Sequence, residues 1–245
     1  MGEWTLYQYP GDQGLPSLSP PCAKVYLALR LSGLRHRVQD IGAENVKRYS
    51  PTGRVPALRL PSGKIVVDSI RILDTLEAVE GLAQPLSPRE PAARAADRLW
   101  EHFANDTLYW CAVVGRWMVP ANCRRVACFM GGQSWLRQRL VEVIGSRAVG
   151  GRAKGQGTGL KEYDEVVADW ERHLRVVVDG LGAGPYLGGR EQPGRGDLAM
   201  AGLLAQVGWR DSTPRLQAAL AEHPALRAHT RRVFEACEAP APDWV

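Results

Sequence analysis

The pattern of apolar and polar residues predicts that short strands alternate with short helices in the first third of the chain. Residues 4–9, WTLYQY, are rich in aromatic and β-branched side chains, which favours a strand. Apolar residues then recur at helical spacing from Pro20 to Leu31, with Ser19 in the N-cap position. Three further elements are predicted: a strand at 37–41, a hairpin at 55–60 and 64–67, and a helix that Asp68 caps. The predicted order is β-α-β-loop-β-β-α.

The remainder of the chain has the spacing of helices. The Pro- and Ser-containing stretch 83–90 predicts a linker between a domain at 1–82 and an all-helical domain at 91–245. Helices are predicted at 94–117, 123–145, 160–181, 197–207 and 226–237. Residues 145–159, GSRAVGGRAKGQGTG, are rich in glycine and basic residues, which predicts a mobile loop or a helix break.

The composition is that of an ordinary globular protein and narrows the class of ligand only slightly. Of the 245 residues, 45% are hydrophobic and 23% are charged, so a core forms without disulfide bonds. The net charge of +5 favours anionic ligands. The basic residues are scattered over helical patterns, which argues against a nucleic-acid partner.

The cysteines and the chain start indicate the compartment. The five cysteines are odd in number and include no C-x-x-C pair, which predicts neither a disulfide framework nor a zinc site. The first residues, MGEWTLYQYP, lack the regions of a signal peptide, and no apolar run approaches the ~18 residues that span a bilayer. We therefore expect a reduced, cytoplasmic protein without a metal and without a transmembrane segment.

Three stretches carry candidate chemistry, and the first is Val55-Pro56. A cis peptide bond here, just before a strand, leaves the main-chain N–H and C=O of Val55 facing outward, where an extended peptide pairs with them. The alternative is a trans proline that begins an edge strand, and spacing alone favours it.

The second stretch is Asp68-Ser69, where a strand meets a helix N-terminus. Main-chain N–H groups and the helix dipole bind a carboxylate there, Ser69 adds a hydroxyl donor, and Asp68 accepts an ammonium group. These groups suit the zwitterionic end of an amino acid. Simple N-capping by Asp68 is the more common explanation of the same pattern.

The third stretch is Ser19-Pro20-Pro21-Cys22. A hydroxyl at a helix N-terminus donates to an anion, so Ser19 is suited to stabilise the thiolate of a bound ligand. Ser19 is not predicted to be a nucleophile itself, because none of the five histidines lies in a recognisable partner motif. Cys22 is expected to lie in the interior, with mixed-disulfide chemistry as the alternative.

Together these stretches resemble the glutathione transferase superfamily. The resemblance is carried by SPPCAK at the first helix, SPTGRVPAL before the third strand, VVDSIRIL after the hairpin, and GPYLGG followed by PGRGDLA near the C-terminus. It implies an α+β thioredoxin-like N-terminal domain of order β-α-β-α-β-β-α, followed by an all-α C-terminal domain. It also implies a transferase that uses glutathione as co-substrate, acts in detoxification and forms a homodimer.

The resemblance also implies the site residues. Ser19 falls at the catalytic position that contacts the glutathione sulfur in serine- and cysteine-type members, and Tyr7 and Tyr9 are lesser candidates by analogy with tyrosine-type members. The residues that the resemblance assigns to glutathione binding are Arg54, Val55, Pro56 in the cis form, Asp68 and Ser69. Lys47 and Arg54 add positive charge, which favours the anionic tripeptide.

A small apolar electrophile is the expected second substrate. In the superfamily the first long helix faces the cleft, so Phe103, Tyr109 and Trp110 are candidate contacts for it. Core packing is the more common role of such aromatic residues.

Two features depart from the family pattern. The loop between Tyr9 and Ser19 is longer than in ordinary transferases. Gly194 stands where a Ser or Thr usually precedes Asp197, the residue that belongs to helix initiation.

A narrower likeness is to the metaxin and failed-axon-connections branch of the superfamily. It is carried by LYQYP, a long loop, SLSPPCAKV, and Gly155-Gln156-Gly157. Some members of that branch are transport or interaction proteins, so the alternative function is a non-catalytic binding or scaffold protein. A third hypothesis is a glutathione-dependent reductase or lyase that uses Cys22.

Overall fold

The structure is a computed structural model that describes residues 3–245, and these residues form two compact units. The first unit holds the chain as far as Ala104, together with Gly180–Gln206 and Ala228–Val245. The second holds Asn105–Asp179 and Val207–Arg227. The predicted domain boundaries at residues 82 and 91 were drawn from the family pattern of the sequence, whereas these two units are defined by contacts within the structure. The predicted boundaries stay a prediction.

The helices and strands follow one another in the order that the resemblance implies. They are β1 (Trp4–Gln8), α1 (Pro20–Leu31), β2 (His36–Asp40), α2 (Val46–Tyr49), β3 (Ala57–Arg59), β4 (Ile65–Val67), α3 (Ser69–Glu77), α4 (Pro91–His102), a π-helical turn (Phe103–Leu108), α5 (Tyr109–Trp117), α6 (Pro120–Gly131), α7 (Trp135–Gln156), α8 (Tyr163–Leu181), α9 (Arg195–Leu204), α10 (Pro214–Ala221) and α11 (Pro224–Ala236). Short 3-10 turns lie at Ala43–Asn45, Thr158–Leu160 and Trp209–Asp211.

The first unit is built on a mixed sheet of strand order β2-β1-β3-β4. β1 is parallel to β2 and antiparallel to β3, and β3 is antiparallel to β4. Leu6 on β1 pairs with Val38 on one side and with the buried Leu58 on the other, so β1 carries the centre of the core. The α+β thioredoxin-like order β-α-β-α-β-β-α, followed by helices only, is confirmed.

The helix α9 lies against the first turn of α1. All ten of its residues are buried, which requires close helix packing. A Cβ atom on Gly202 would lie 3.0 Å from the main-chain N of Lys24 and 3.3 Å from the carbonyl O of Pro20. Glycine at position 202 therefore permits the close approach of α9 to the helix turn that follows Ser19.

The second unit has its own helical core. Trp170 on α8 and Trp209 are fully buried, and Trp170 Nε1 donates a hydrogen bond to the carbonyl O of Leu216 on α10 at 3.1 Å. The sequence pattern does not predict α10, because eight residues give too short a window for helical periodicity.

Two predictions about the glycine-containing helices are wrong. The helix predicted at 123–145 is two helices, because the chain turns at Gly132 with a φ of +58°, a conformation that favours glycine. The stretch 145–159 remains helical as far as Gln156 and ends at Gly157, where φ is +110°. Gly145 is needed inside α7, since a Cβ atom there would lie 2.4 Å from the Trp117 ring.

The long helix predicted at 94–117 begins earlier and is not regular throughout. Glu90 caps α4, and its carboxylate accepts from the N–H groups of Ala92 and Ala93. The π-helical turn then separates α4 from α5. Such turns occur often at functional sites.

Within residues 3–245 no helix combines the length and the apolar character that crossing a bilayer requires. The same range contains no group of three or more His, Cys, Asp or Glu side chains arranged to hold a metal ion. The five cysteines are free thiols, and Cys128 alone among them is exposed.

Candidate functional site

Ser19 stands at the N-terminus of α1 with its hydroxyl outside any capping bond. Its backbone is extended, with φ of −111° and ψ of 117°, and its side chain makes no capping hydrogen bond to the helix. Pro20 and Pro21 have no N–H group, so the amide of Cys22 is the first-turn donor that remains available. The Ser19 hydroxyl and this amide are the donors that an anion meets at this helix end.

The loop that carries Ser19 is held to the end of β1. The Ser17 hydroxyl donates to the carbonyl O of Tyr9 at 2.7 Å, and the side-chain amide of Gln8 donates to the carbonyl O of Pro16 at 2.5 Å. From the segment after α9, Gln206 Nε2 donates to the carbonyl O of Ser17 at 2.5 Å. Sequence reasoning gave no role to Ser17 or Gln206, because the contacts of these two side chains form only when the loop folds against β1 and the segment after α9.

Cys22 packs in the interior, as expected. It is fully buried, and burial raises the pKa of its thiol to about 11, although hydrogen bonds from Ser19, the Tyr9 main chain and Ser17 act in the opposite direction. A thiol with this pKa is uncharged at neutral pH, so Cys22 is a poor nucleophile.

The Val55-Pro56 peptide bond is cis, so the trans alternative is wrong for this structure. Val55 is half-buried, Pro56 is buried, and β3 begins at the next residue. Arg54 is exposed, and its main-chain N–H donates to the Ser50 hydroxyl at 3.3 Å. Val55 therefore lies just before β3, at a position of the first unit that is partly exposed to solvent.

Asp68 caps α3 and has an unusual backbone conformation. Its Oδ1 accepts from the N–H groups of Ile70 and Arg71 at 3.0 and 3.2 Å, which shows the N-capping role. Both bonds end on Oδ1, so the exposed carboxylate retains Oδ2 for a cation. The φ of +80° is rare for a residue other than glycine, and such conformations cluster at ligand sites. Ser69, beside it, is 8% exposed.

The two tyrosines of the first strand region have different surroundings. Tyr7 is 6% exposed, and its ring lies 4.8 Å from that of Tyr49 in a core cluster with Ile41 and Val46. Tyr9 is half-buried and packs against the same cluster. The burial of Tyr7 makes Ser19 the better candidate for contact with a sulfur atom.

The three candidate electrophile contacts belong to different units. Phe103 lies in the first unit, where it packs edge-on against Trp100 with 6.0 Å between ring centroids. Tyr109 and Trp110 lie in the second unit and pack edge-on against each other at 5.2 Å. All three are half-buried, and their assignment to an electrophile stays a prediction.

Sequence reasoning missed a group of paired charges in the first unit, which we call the ion cluster. Its members are Lys24 on α1, Asp74 and Glu77 on α3, Arg98 and Glu101 on α4, and Arg195 on α9. Glu101 accepts from Lys24 Nζ and from Arg195 Nε, each at 2.8 Å, and all three side chains are 1% exposed or less. A lysine within the otherwise apolar helix PPCAKVYLALRL is the signal that points to such a partner.

The ion cluster links the two helix N-termini of the candidate site. Arg195 Nη1 contacts Asp74 at 2.6 Å and Glu77 at 3.1 Å, and its Nη2 donates to the carbonyl O of Ile70 at 3.1 Å. Ile70 lies in the first turn of α3, next to Ser69, whereas Lys24 lies in α1, five residues after Ser19. The positions of the two N-termini are therefore coupled through buried ion pairs.

Ion pairing outweighs burial for Glu101 and Arg195 but not for Lys24, whose pKa burial lowers although Glu101 acts in the opposite direction. Burial alone would raise the pKa of Glu101, but Lys24 and Arg195 outweigh burial and hold that pKa below its ordinary value. Burial would likewise lower the pKa of Arg195, but its carboxylate partners raise it. Both groups are charged at neutral pH.

Asp197 initiates α9, as expected. Its Oδ2 accepts from the Gly194 N–H at 2.8 Å, and its Oδ1 accepts from the Leu187 N–H at 2.9 Å and contacts His229 Nε2 at 2.7 Å. Glycine has no side chain, so only the carboxylate half of a capping box exists here.

Comparison with known proteins finds similarity to glutathione transferases. Residues 20–122 match the family model described as the glutathione S-transferase N-terminal domain. The chain is 28% identical to glutathione transferase GST 23 of Zea mays, over 66% of this chain and 70% of the relative. It is 29% identical to the isoprene-epoxide–glutathione S-transferase of Rhodococcus sp. (strain AD45), over 72% of this chain and 74% of the relative.

A third relative extends over nearly the whole chain. The failed axon connections protein of Drosophila melanogaster is 26% identical over 98% of this chain, which spans 58% of that relative. The metaxin-like resemblance inferred from sequence thus has a counterpart among the relatives.

Solved structures share the fold. Glutathione transferase GSTFuA3 of Phanerochaete chrysosporium superposes with a TM-score of 0.67 at 18% identity, over 97% of this chain and 98% of that one. A glutathione S-transferase of Methylobacterium radiotolerans, in complex with glutathione sulfonate, superposes with a TM-score of 0.62 at 21% identity, over 98% and 95%. The chain is thus similar to glutathione transferases in its N-terminal family match, in its relatives and in its fold.

Proposed function

We propose that this protein is a glutathione transferase in which the thiolate of glutathione is stabilised at the N-terminus of α1. The observation that carries the proposal is the Ser19 hydroxyl, which occupies the N-cap position but makes no capping bond. Relatives named as transferases, one of them acting on an isoprene epoxide, support this class of reaction.

Glutathione lies along the edge that Val55 begins. Its cysteinyl main chain pairs with Val55 as an added strand, before the cis bond to Pro56. The γ-glutamyl ammonium contacts Asp68 Oδ2, and the adjoining carboxylate accepts from Ser69 and the N-terminus of α3. Arg54, exposed beside Val55, attracts the anionic tripeptide.

Catalysis arises from ionisation of the thiol and from proximity. A free thiol has a pKa of ~8.5, and a hydrogen bond from Ser19 together with the dipole of α1 favours the thiolate. The proton leaves to solvent, and the sulfur lone pair forms a C–S bond while the bond to the leaving group, or the C–O bond of an epoxide, breaks. The glutathione thiolate is the only nucleophile that formation of the C–S bond needs. The neutral Cys22 thiol therefore takes no part in the reaction.

Substitution of Ser19 tests this proposal. We expect Ser19→Ala to lower kcat for conjugation of a chloronitrobenzene about 100-fold, because one donor to the reacting anion is lost. Glutathione affinity, measured by calorimetry, should change by less than about threefold, since the tripeptide keeps its other contacts. Cys22→Ala is the control and should retain turnover. Equal activity in Ser19→Ala would overturn the role of Ser19.

A non-catalytic binding or scaffold function is the second candidate. It is favoured by the likeness to failed axon connections, which covers 98% of this chain, whereas the two transferases cover 66% and 72%. Retention on a glutathione resin and conjugation turnover separate the candidates. A protein that is neither retained nor active has only the binding role.

Several finer properties stay predictions from the resemblance. These are the identity of the electrophile, a homodimeric state, a cytoplasmic location and a role in detoxification. Chemistry based on Cys22 is not proposed, because that thiol is buried and uncharged at neutral pH.

A further inference from the structure

The outer surface of α7 carries large apolar side chains that face water. Trp135, Leu136, Leu140 and Ile144, which we call the apolar stripe, are 71, 62, 58 and 55% exposed. The last three recur every four residues and so lie on one face of the helix. Folded domains seldom expose such a patch unless it contacts a partner.

The helices around the apolar stripe hold nearly all of the excess positive charge. Residues 121–156 contain seven basic residues and one acidic residue, Glu142, which is a net charge of +6. The whole chain carries +5, so the remainder carries −1. Glu142 is largely covered and pairs with Arg139 at 2.8 Å, so the exposed charge on this surface has one sign.

Two hollows on the same helices are lined by basic residues. One of about 500 Å³ lies along α5, α6 and α7, and its charged lining residues are Arg147, Lys154 and Glu142, a net charge of +1. The other, of about 600 Å³, includes Arg124, Arg125 and Arg210. Clustered guanidinium groups of this kind bind phosphate oxygens.

We propose that α6 and α7 dock on a membrane surface that contains anionic phospholipids. The apolar stripe enters the boundary between headgroups and acyl chains, and the surrounding arginines and Lys154 contact the lipid phosphates. The combination of exposed apolar and exclusively cationic side chains is what such a surface complements. A second copy of the chain would present the same +6 charge against this face, and the repulsion disfavours that occupant.

Vesicle sedimentation with the full chain tests the proposal. We expect binding to phosphatidylglycerol-containing vesicles and little binding to phosphatidylcholine alone, with a decrease as salt rises. Leu140→Glu combined with Ile144→Glu should weaken binding about tenfold or more, because charge replaces inserted apolar surface. Arg147→Glu combined with Lys154→Glu should produce a loss of similar size and remove most of the salt dependence.

A double substitution on α8 is the matched control. Arg175 and Val176 are exposed in the same unit, and Val176 is 46% exposed. Arg175→Glu with Val176→Glu changes the charge by −3, between the −2 of the apolar variant and the −4 of the basic variant, on a helix that is not part of the proposed docking face. This variant should bind vesicles like the wild type, and circular dichroism should show that all variants fold. Absence of binding to anionic vesicles, equal binding to neutral vesicles, or an equal loss in the control would overturn the proposal. So would a change in oligomeric state in the stripe variant without vesicle binding, which would assign the face to a second copy.

Discussion

The ion cluster of the first unit and the outer surface of α6 and α7 use charge in opposite ways. The cluster places three cations against three carboxylates, and its central members, Lys24, Glu101 and Arg195, are 1% exposed or less. The surface of α6 and α7 carries a net charge of +6 that is exposed to solvent. Burial makes an unpaired charge costly, so interior charges must be matched, whereas exposed charges need no internal partner. The matched charges position helices, and the unmatched ones remain available to an external partner.

One glycine from each of these regions shows a contrast in packing. Gly202 on α9 is in tight contact with the main chain of α1, whereas a Cβ atom on Gly155 of α7 would have no neighbour within 4 Å. Close packing requires glycine at position 202, whereas no neighbouring atom requires glycine at position 155. The difference makes the two regions unequal in their response to the same substitution.

Loss of the central cation should have the largest effect. We expect Arg195→Met to lower the free energy of unfolding by about 3–5 kcal/mol, because the buried Glu101 then keeps only Lys24 at 2.8 Å and Arg98 at the longer distance of 4.0 Å. Arg139→Met, which removes an exposed ion pair from α7, should cost no more than about 1 kcal/mol. Urea unfolding of both variants measures the contrast, and losses of equal size would contradict it.

Low pH should lower the free energy of unfolding, because it protonates Glu101 and so removes its ion pairs with Lys24 and Arg195. The pKa of Glu101 is held below its ordinary value of 4.5 by Lys24 and Arg195 against the effect of burial. Its contribution is therefore complete above about pH 4.5 and is lost as the pH falls through the lower folded pKa. Urea midpoints measured from neutral pH downward should converge for wild type and Arg195→Met. A constant difference across this range would exclude the linkage.

The close packing of Gly202 predicts a smaller loss of stability than the one expected for Arg195→Met. Gly202→Ala should destabilise the protein by about 1–3 kcal/mol, because the added methyl group meets the main chain of α1 rather than a flexible side chain. Since that turn follows Ser19, kcat for conjugation should also decrease. Unchanged turnover in a destabilised variant would show that α9 supports the fold without positioning Ser19.

The smallest effect has the opposite sign. Gly155→Ala should stabilise the protein by about 0.5–1 kcal/mol, because alanine restricts the unfolded chain and fits the helix without a clash. Thermal unfolding measures the increase. Destabilisation would mean that this part of α7 needs the flexibility of glycine.

Sequence reasoning predicted the thioredoxin-like half well and the helical half less well. The bounds of α1 agree with the prediction, because a Ser-Pro start and a continuous apolar run are local signals. Residues 145–156 of α7 were misjudged, because glycine lowers helix propensity wherever it stands, and only the Trp117 ring beside Gly145 explains its presence.

In the candidate site, too, sequence reasoning pointed to some residues and missed others. Ser19, Val55 and Asp68 were proposed as site residues because each precedes a helix or strand that the sequence marks, and their roles stay predictions. Arg195 and Gln206 were missed, because Glu101 lies 94 residues from Arg195 along the chain and Ser17 lies 189 residues from Gln206.

By itself the sequence determined the order of the elements, many of the residues at their ends and the resemblance to glutathione transferases. These follow from short-range preferences for caps, turns and periodic apolar faces, which depend on neighbouring residues only. The tertiary structure decided that the Val55-Pro56 bond is cis, that burial raises the pKa of the Cys22 thiol to about 11, and that Lys24 and Arg195 share Glu101. Burial and ion pairing depend on residues that are distant in the chain and meet only after folding, so no local pattern contains them.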